Sequence, residues 1–124
     1  MNLALSDKRR SIGFSFAWNG IRAIIKQELN FRIHLGIMVF ILILGILFRL
    51  SIVEWLFIIV AIGFVLMTEI INTVIEELID YLNPAIHPKA KVIKDMAAGA
   101  VLIASITAAL IGVLIFGSKL TNLL

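Results

Sequence analysis

Residues Trp55-Leu-Phe-Ile-Ile-Val-Ala-Ile-Gly-Phe-Val-Leu-Met-Thr68 run directly into Glu69-Ile-Ile-Asn-Thr-Val-Ile-Glu-Glu-Leu-Ile-Asp80. The first half carries no charge. The second half carries several, yet keeps apolar residues at helical spacing and holds neither Pro nor Gly, so one helix is expected to continue to the break at Asn83-Pro84. Two more uncharged runs flank this one, at 33–48 and 96–118. At ~1.5 Å per residue the later run covers roughly 35 Å and the earlier one roughly 24 Å, before Arg32 and Arg49 at its ends snorkel outward. All three are long enough to cross a bilayer.

Composition points the same way. The chain has 124 residues, 61% of them apolar, and its mean hydropathy of +1.09 is too high for a soluble domain of this size. Charges gather between the uncharged runs, the pattern of a membrane protein rather than of a hydrophobic core. Cysteine is absent, which excludes disulfides, thiolate metal sites and cysteine nucleophiles. Residues 1–10 place their charges ahead of a mixed stretch, so no cleavable leader is expected. No repeat or linker divides the chain.

Ahead of the first run, Phe14, Ala17, Trp18, Ile21, Ile24 and Ile25 recur at helical spacing, with polar residues largely on the rest of the wheel. This reads as an amphipathic helix in the membrane interface, with Trp18 suited to headgroup depth. The expected fold is therefore an all-α integral membrane domain over residues 1–124. It comprises an interfacial helix at about 7–28 and transmembrane helices at about 33–50, 52–80 and 92–118.

The net charge of +3 is modest, and topology uses it better than a nucleic-acid partner, which is not expected. Lys8, Arg9, Arg10, Arg22, Lys26 and Arg32 precede the first span, and Lys89, Lys91 and Lys94 separate the second from the third. Arg49 and Lys119 alone mark the other side. The positive-inside rule predicts a cytoplasmic N-terminus and second loop, with the C-terminus outside.

On a helix, Glu69, Asn72, Glu76 and Asp80 fall within roughly 80° of one another, so three carboxyls and an amide form a stripe. Glu69 lies some 22 Å along the helix from Glu54 at ~1.5 Å per residue, just inside the cytoplasmic boundary of the bilayer. A carboxylate there costs roughly 2 kcal/mol or more, which makes it a functional candidate. Stacked acids repel unless a cation joins them, and hard oxygen ligands select Mg²⁺. A magnesium nucleotide would supply that ion. With Glu69 placed to take a proton from an alcohol and Lys94 as a cationic donor, the stripe holds what phosphoryl transfer needs.

Each of these residues also has a plainer role. Glu77 reads as a solvated helix end, Lys94 as a topology-setting charge, and Asp95 as a charge at a helix N-terminus. Glu28 sits on the apolar face with Phe14 and Ile21, either as a further metal ligand or as a helix-end charge in water. His34 and His87 have no metal-ligand spacing and read as hydrogen-bonding or interfacial residues. The stretch Gly112 to Lys119 has Ser-Lys where a phosphate-binding loop needs Lys-Ser or Lys-Thr, and no soluble-kinase fingerprint is present.

Taken together, several motifs carry a resemblance: Trp18-Asn-Gly20, Glu28 followed by Asn30-Phe-Arg32, Glu69-x-x-Asn72-Thr-x-Ile-Glu76-x-x-x-Asp80, and Lys94-Asp95-x-Ala-Ala-x-Ala-Val101. The chain resembles the small prokaryotic diacylglycerol kinase family over essentially its whole length. That resemblance implies a homotrimer in the bacterial plasma membrane, with active sites shared between neighbouring subunits. It implies Glu69 as catalytic base, Glu28 and Glu76 as ligands of the Mg²⁺ that accompanies ATP, and Asn72, Lys94 and Asp95 lining the nucleotide site. Arg9 and His87 would add nucleotide contacts, Trp18 and Glu69 would meet the lipid, and Asp80 would support the site. Glu28-x-Asn30-Phe-Arg-Ile-His34 and Asn83-Pro-Ala-Ile-His87-Pro-Lys resemble the Gram-positive branch, which acts chiefly on undecaprenol. The enterobacterial branch, acting on diacylglycerol, has an acid at position 34.

Two other classes compete. A transporter or channel subunit would use an intramembrane acid for ions, but would want it near the midplane rather than at one face. A structural subunit assembling on Ala97, Ala98 and Ala100 would leave the acidic stripe unexplained.

Overall fold

The computed structural model describes the backbone of residues 3–82, 85 and 87–124, and side chains from residue 13 onward within that range. Four helices follow in order: α1 over Leu3–Gln27, α2 over Leu29–Leu47, α3 over Ile52–Leu82 and α4 over Pro88–Leu123. By length and apolarity α2, α3 and α4 could each cross a membrane. Among the described residues no strand forms. In a bilayer that is the physical expectation, because a helix satisfies its own backbone polar groups.

Only Glu28 separates α1 from α2. Glu28 takes an extended conformation (φ −109°, ψ 112°) and its side chain forms no cap. Arg32 explains how the break is tolerated. Its Nη1 donates to the carbonyl oxygens of Ile25 at 3.0 Å and Lys26 at 2.9 Å, satisfying acceptors that the end of α1 would otherwise leave open.

Two caps set back to back make the turn between α2 and α3. Leu50 donates its amide to the Gly45 carbonyl and Arg49 to that of Ile46, the paired bonds of a Schellman ending, with Arg49 left-handed at φ 55°. Ser51 and Glu54 then exchange bonds, the Ser51 amide to Glu54 Oε1 at 3.0 Å and the Glu54 amide to Ser51 Oγ at 3.3 Å. This is a capping box. Lys119 of α4 closes on Glu54 at 3.0 Å, tying all three long helices together at this end.

α4 packs chiefly against α3, α3 also against α2, and α2 against α1. The inner seam of α3 consists of Ile58, Ala61, Val65, Glu69 and Thr73, all buried. Their spacing of three and four residues puts them on one face. Phe31, Leu50 and Ala104 complete the buried apolar set among the described residues. Large side chains elsewhere, such as Phe40, Val60, Leu114 and the α1 residues Phe14 and Trp18, are exposed. A protein in water would not leave so much apolar surface open. Lipid is the surrounding that fits.

Candidate functional site

Glu69 stands where two stripes of α3 meet. It is the fourth residue of the buried seam and the first of the polar line Glu69, Asn72, Glu76, Asp80. Only 8% of it is exposed. The partner that relieves this burial comes from α2, where His34 Nε2 lies 3.0 Å from Glu69 Oε1. Thr73, also buried, sits one turn further along.

Along the polar line, Asn72 Nδ2 approaches Glu76 Oε1 at 3.4 Å, a long and weak bond. Asn72 Oδ1 is buried and accepts nothing from the described residues. An amide oxygen in that state is costly, and it stands one turn from a carboxylate. Asp80 bonds to Lys94 Nζ at 2.6 Å and so joins α3 to α4. Asp95 instead pairs along its own helix with Lys91 at 2.7 Å, and both are well exposed.

His87 begins α4, with its Nδ1 accepting from the Lys89 amide at 3.1 Å and Pro88 in the first helical position. Glu28 sits half-buried at the α1–α2 junction. Trp18 projects from α1, exposed. The Arg9 side chain lies outside the described residues, as do Asn83 and Pro84.

A magnesium ion can be tested against this arrangement. Among the described residues no three of His, Asp and Glu converge to hold a metal, so one chain does not assemble Glu28, Glu76 and a third acid. It does offer hard oxygens one turn apart, the open Asn72 Oδ1 and the Glu76 carboxylate. Mg²⁺ commonly takes only one or two protein carboxylates, with water and phosphate oxygens completing its shell. The donors therefore suit it.

Below Glu69, an apolar trough of about 680 Å³ opens between α2, α3 and α4. Its only polar side chains are His34 and Ser105. The site thus combines a buried acid, an oxygen pair suited to a phosphate-bound cation, and an oily channel leading into the membrane. Reasoning from sequence missed the His34 contact and the Arg32 clamp. The one available signal was two polar residues at the head of an otherwise apolar run, and spacing within one segment cannot say what faces them.

Comparison with known proteins gives the family. The family described as prokaryotic diacylglycerol kinase matches residues 15–116. An undecaprenol kinase of Bacillus subtilis (strain 168) is 41% identical over 107 residues, 86% of this chain and 87% of that one. A diacylglycerol kinase of Synechocystis is 32% identical over 102 residues, 82% of this chain and 58% of that longer protein. With the matched region taking in α2, α3, most of α4 and every motif from Trp18 onward, the chain belongs to the prokaryotic diacylglycerol kinase family, in the branch of the undecaprenol kinase it matches, and is a lipid kinase.

Proposed function

We propose that this kinase phosphorylates the hydroxyl of undecaprenol with ATP at the cytoplasmic face of the membrane, using Glu69 as general base. The observation that carries the reading is a carboxylate held nearly out of solvent at the head of an apolar trough. A lipid alcohol with its chain in the bilayer brings its hydroxyl to that depth. Glu69 accepts the hydroxyl proton as the oxygen forms a bond to the terminal phosphorus, and the bond from that phosphorus to the bridging oxygen breaks as ADP leaves.

Glu76 and the open Asn72 oxygen, with Glu28 from the same or a neighbouring subunit, would hold Mg²⁺, which offsets phosphate charge when bound. Lys94 sits among these acids, placed to meet a phosphate oxygen on exchanging Asp80 for it. Asp95, His87 and Arg9 would line the nucleotide side, Trp18 would meet the lipid, and Asp80 would position Lys94. Basic residues ahead of α2 and between α3 and α4 favour a cytoplasmic N-terminus and an outer C-terminus. α1 would lie in the interface, and three copies would assemble.

The undecaprenol reading is supported by the match to the Bacillus protein and by His34 in place of an acid. The Synechocystis relative, named a diacylglycerol kinase, keeps diacylglycerol as the second acceptor. The test is product formation by protein reconstituted in lipid with magnesium ATP and either alcohol. Wild type is expected to form product, faster with undecaprenol, and Glu69→Gln to lose about 10³-fold or more in kcat while still assembling. A Glu69→Gln protein as fast as wild type would refute the base. Glu76→Gln and Glu28→Gln are each expected to weaken magnesium nucleotide binding about tenfold, read by titration. Chelating the metal should stop turnover in every variant.

A further inference from the structure

We infer that His34 is a positioning residue for Glu69, holding the carboxylate in the one orientation that lets it face the acceptor hydroxyl. The inference rests on the assignment of Glu69 as base and adds a second residue, from a different helix, to that assignment. His34 Nε2 is 3.0 Å from Glu69 Oε1, with the two side chains 25% and 10% exposed. This contact crosses from α2 to α3, and among the described residues it is the one polar side-chain contact of Glu69.

A carboxylate on an apolar seam turns freely about its terminal torsion unless something fixes it. His34 Nε2 is close enough to Oε1 for an imidazole N–H, once aligned, to do so and leave Oε2 for the alcohol. Such contacts are often poorly aligned before substrate binds and tighten afterwards. The other charges nearby are engaged elsewhere. Arg32 of α2 is spent on the carbonyls of α1, and Lys94 of α4 on Asp80. At the head of the trough α4 contributes only the neutral Ser105. His34 also lines that trough, so the side chain orienting the base touches the channel by which the acceptor's chain reaches it.

The experiment compares His34→Leu, His34→Gln and His34→Asn with wild type and Glu69→Gln, as full chains in lipid vesicles, with the acceptor the wild type uses. Glutamine can place an amide N–H where Nε2 stands, whereas asparagine is too short. His34→Leu and His34→Asn are expected to lower kcat by roughly 10- to 100-fold, with KM for magnesium ATP within about twofold of wild type. His34→Gln is expected to recover to within about fivefold of wild type. Size-exclusion profiles and melting curves establish which variants fold. If leucine fails to fold, the glutamine and asparagine pair still decides.

Equal kcat for His34→Asn and wild type, or equal losses for His34→Gln and His34→Asn, would overturn the inference. If Glu69→Gln is inactive in the same series, the base assignment survives that result. Activity retained by Glu69→Gln would instead remove the assignment itself.

Discussion

Gly45 on α2 has no room for a side chain. A Cβ there would stand 2.5 Å from Trp55 Cη2, 2.9 Å from Cζ2 and 3.1 Å from Leu50 Cδ1. The indole of α3 is thereby seated on the backbone of α2. Gly45→Ala is expected to lower stability by about 1–2 kcal/mol in detergent melts, because overpacking outweighs the gain in helix propensity. Gly63, which has open space around it, should gain up to about 1 kcal/mol on the same change. If Gly45→Ala melts like Gly63→Ala, the seat is not tight. At this scale the sequence is most informative about Glu69 and Asn72, because polar atoms among Ile, Val and Met must be satisfied by something. It says nothing of His34 as a partner, since that contact joins residues 35 positions apart on two helices, and neither helix alone contains it. Arg49 is also silent, because its left-handed backbone is one that glycine would be expected to take.

Among the elements, the weakest joint is the one between α1 and α2, where a single guanidinium bonds two carbonyls. Arg32→Met removes both donors without changing length, and Ile25 and Lys26 then depend on water. Amides around residues 24–28 are expected to exchange roughly fivefold faster, a change of about 1 kcal/mol, while those at the centre of α3 keep their protection. Unchanged exchange would mean that α1 is held by its apolar side chains alone. The three spans are legible from apolar runs and, at the end of α3, from the absence of Pro and Gly between residues 69 and 80. The junction at Glu28 is not, because no Pro, Gly or capping side chain announces it. The Ser51-x-x-Glu54 spacing is that of a capping box and could have marked the helix start, although the expected span rests on the apolar run alone.

For the whole molecule, what matters is how little of it is covered. Of the most apolar stretch of α4 only 6% is buried within one chain, and of α2 only 11%. With the buried residues confined to the α3 seam and a few contacts beside it, one chain makes only a thin core. Lipid can cover that surface and so can further copies of the chain, and among the described residues no three acids or histidines converge on a metal, so a neighbour's Glu28 joining the Asn72 and Glu76 oxygens is the arrangement to test. The protein in mild detergent is expected to run at the mass of three chains by light scattering. Equal amounts of Glu69→Gln and Glu28→Gln chains, mixed and reassembled, should turn over faster at low magnesium ATP than the mean of the two variants alone if a neighbour supplies Glu28 to each site. A monomer by mass that turns over at the full rate would exclude this.

One dimension of α3 has an effect on the surrounding lipid. Its 31 residues extend about 46 Å at ~1.5 Å per residue, against ~30 Å of hydrocarbon. With the Ser51–Glu54 box and Lys119 at the opposite headgroup plane, the excess would emerge on the acidic side as a spur about 16 Å tall. Membrane thickness then sets how high that spur stands. In vesicles of progressively longer acyl chains the headgroup plane climbs past Glu69 toward Glu76, and turnover should fall as the phosphate donor loses its reach. Thinner membranes would leave the acid at the waterline, within reach of the donor but farther from the oily acceptor.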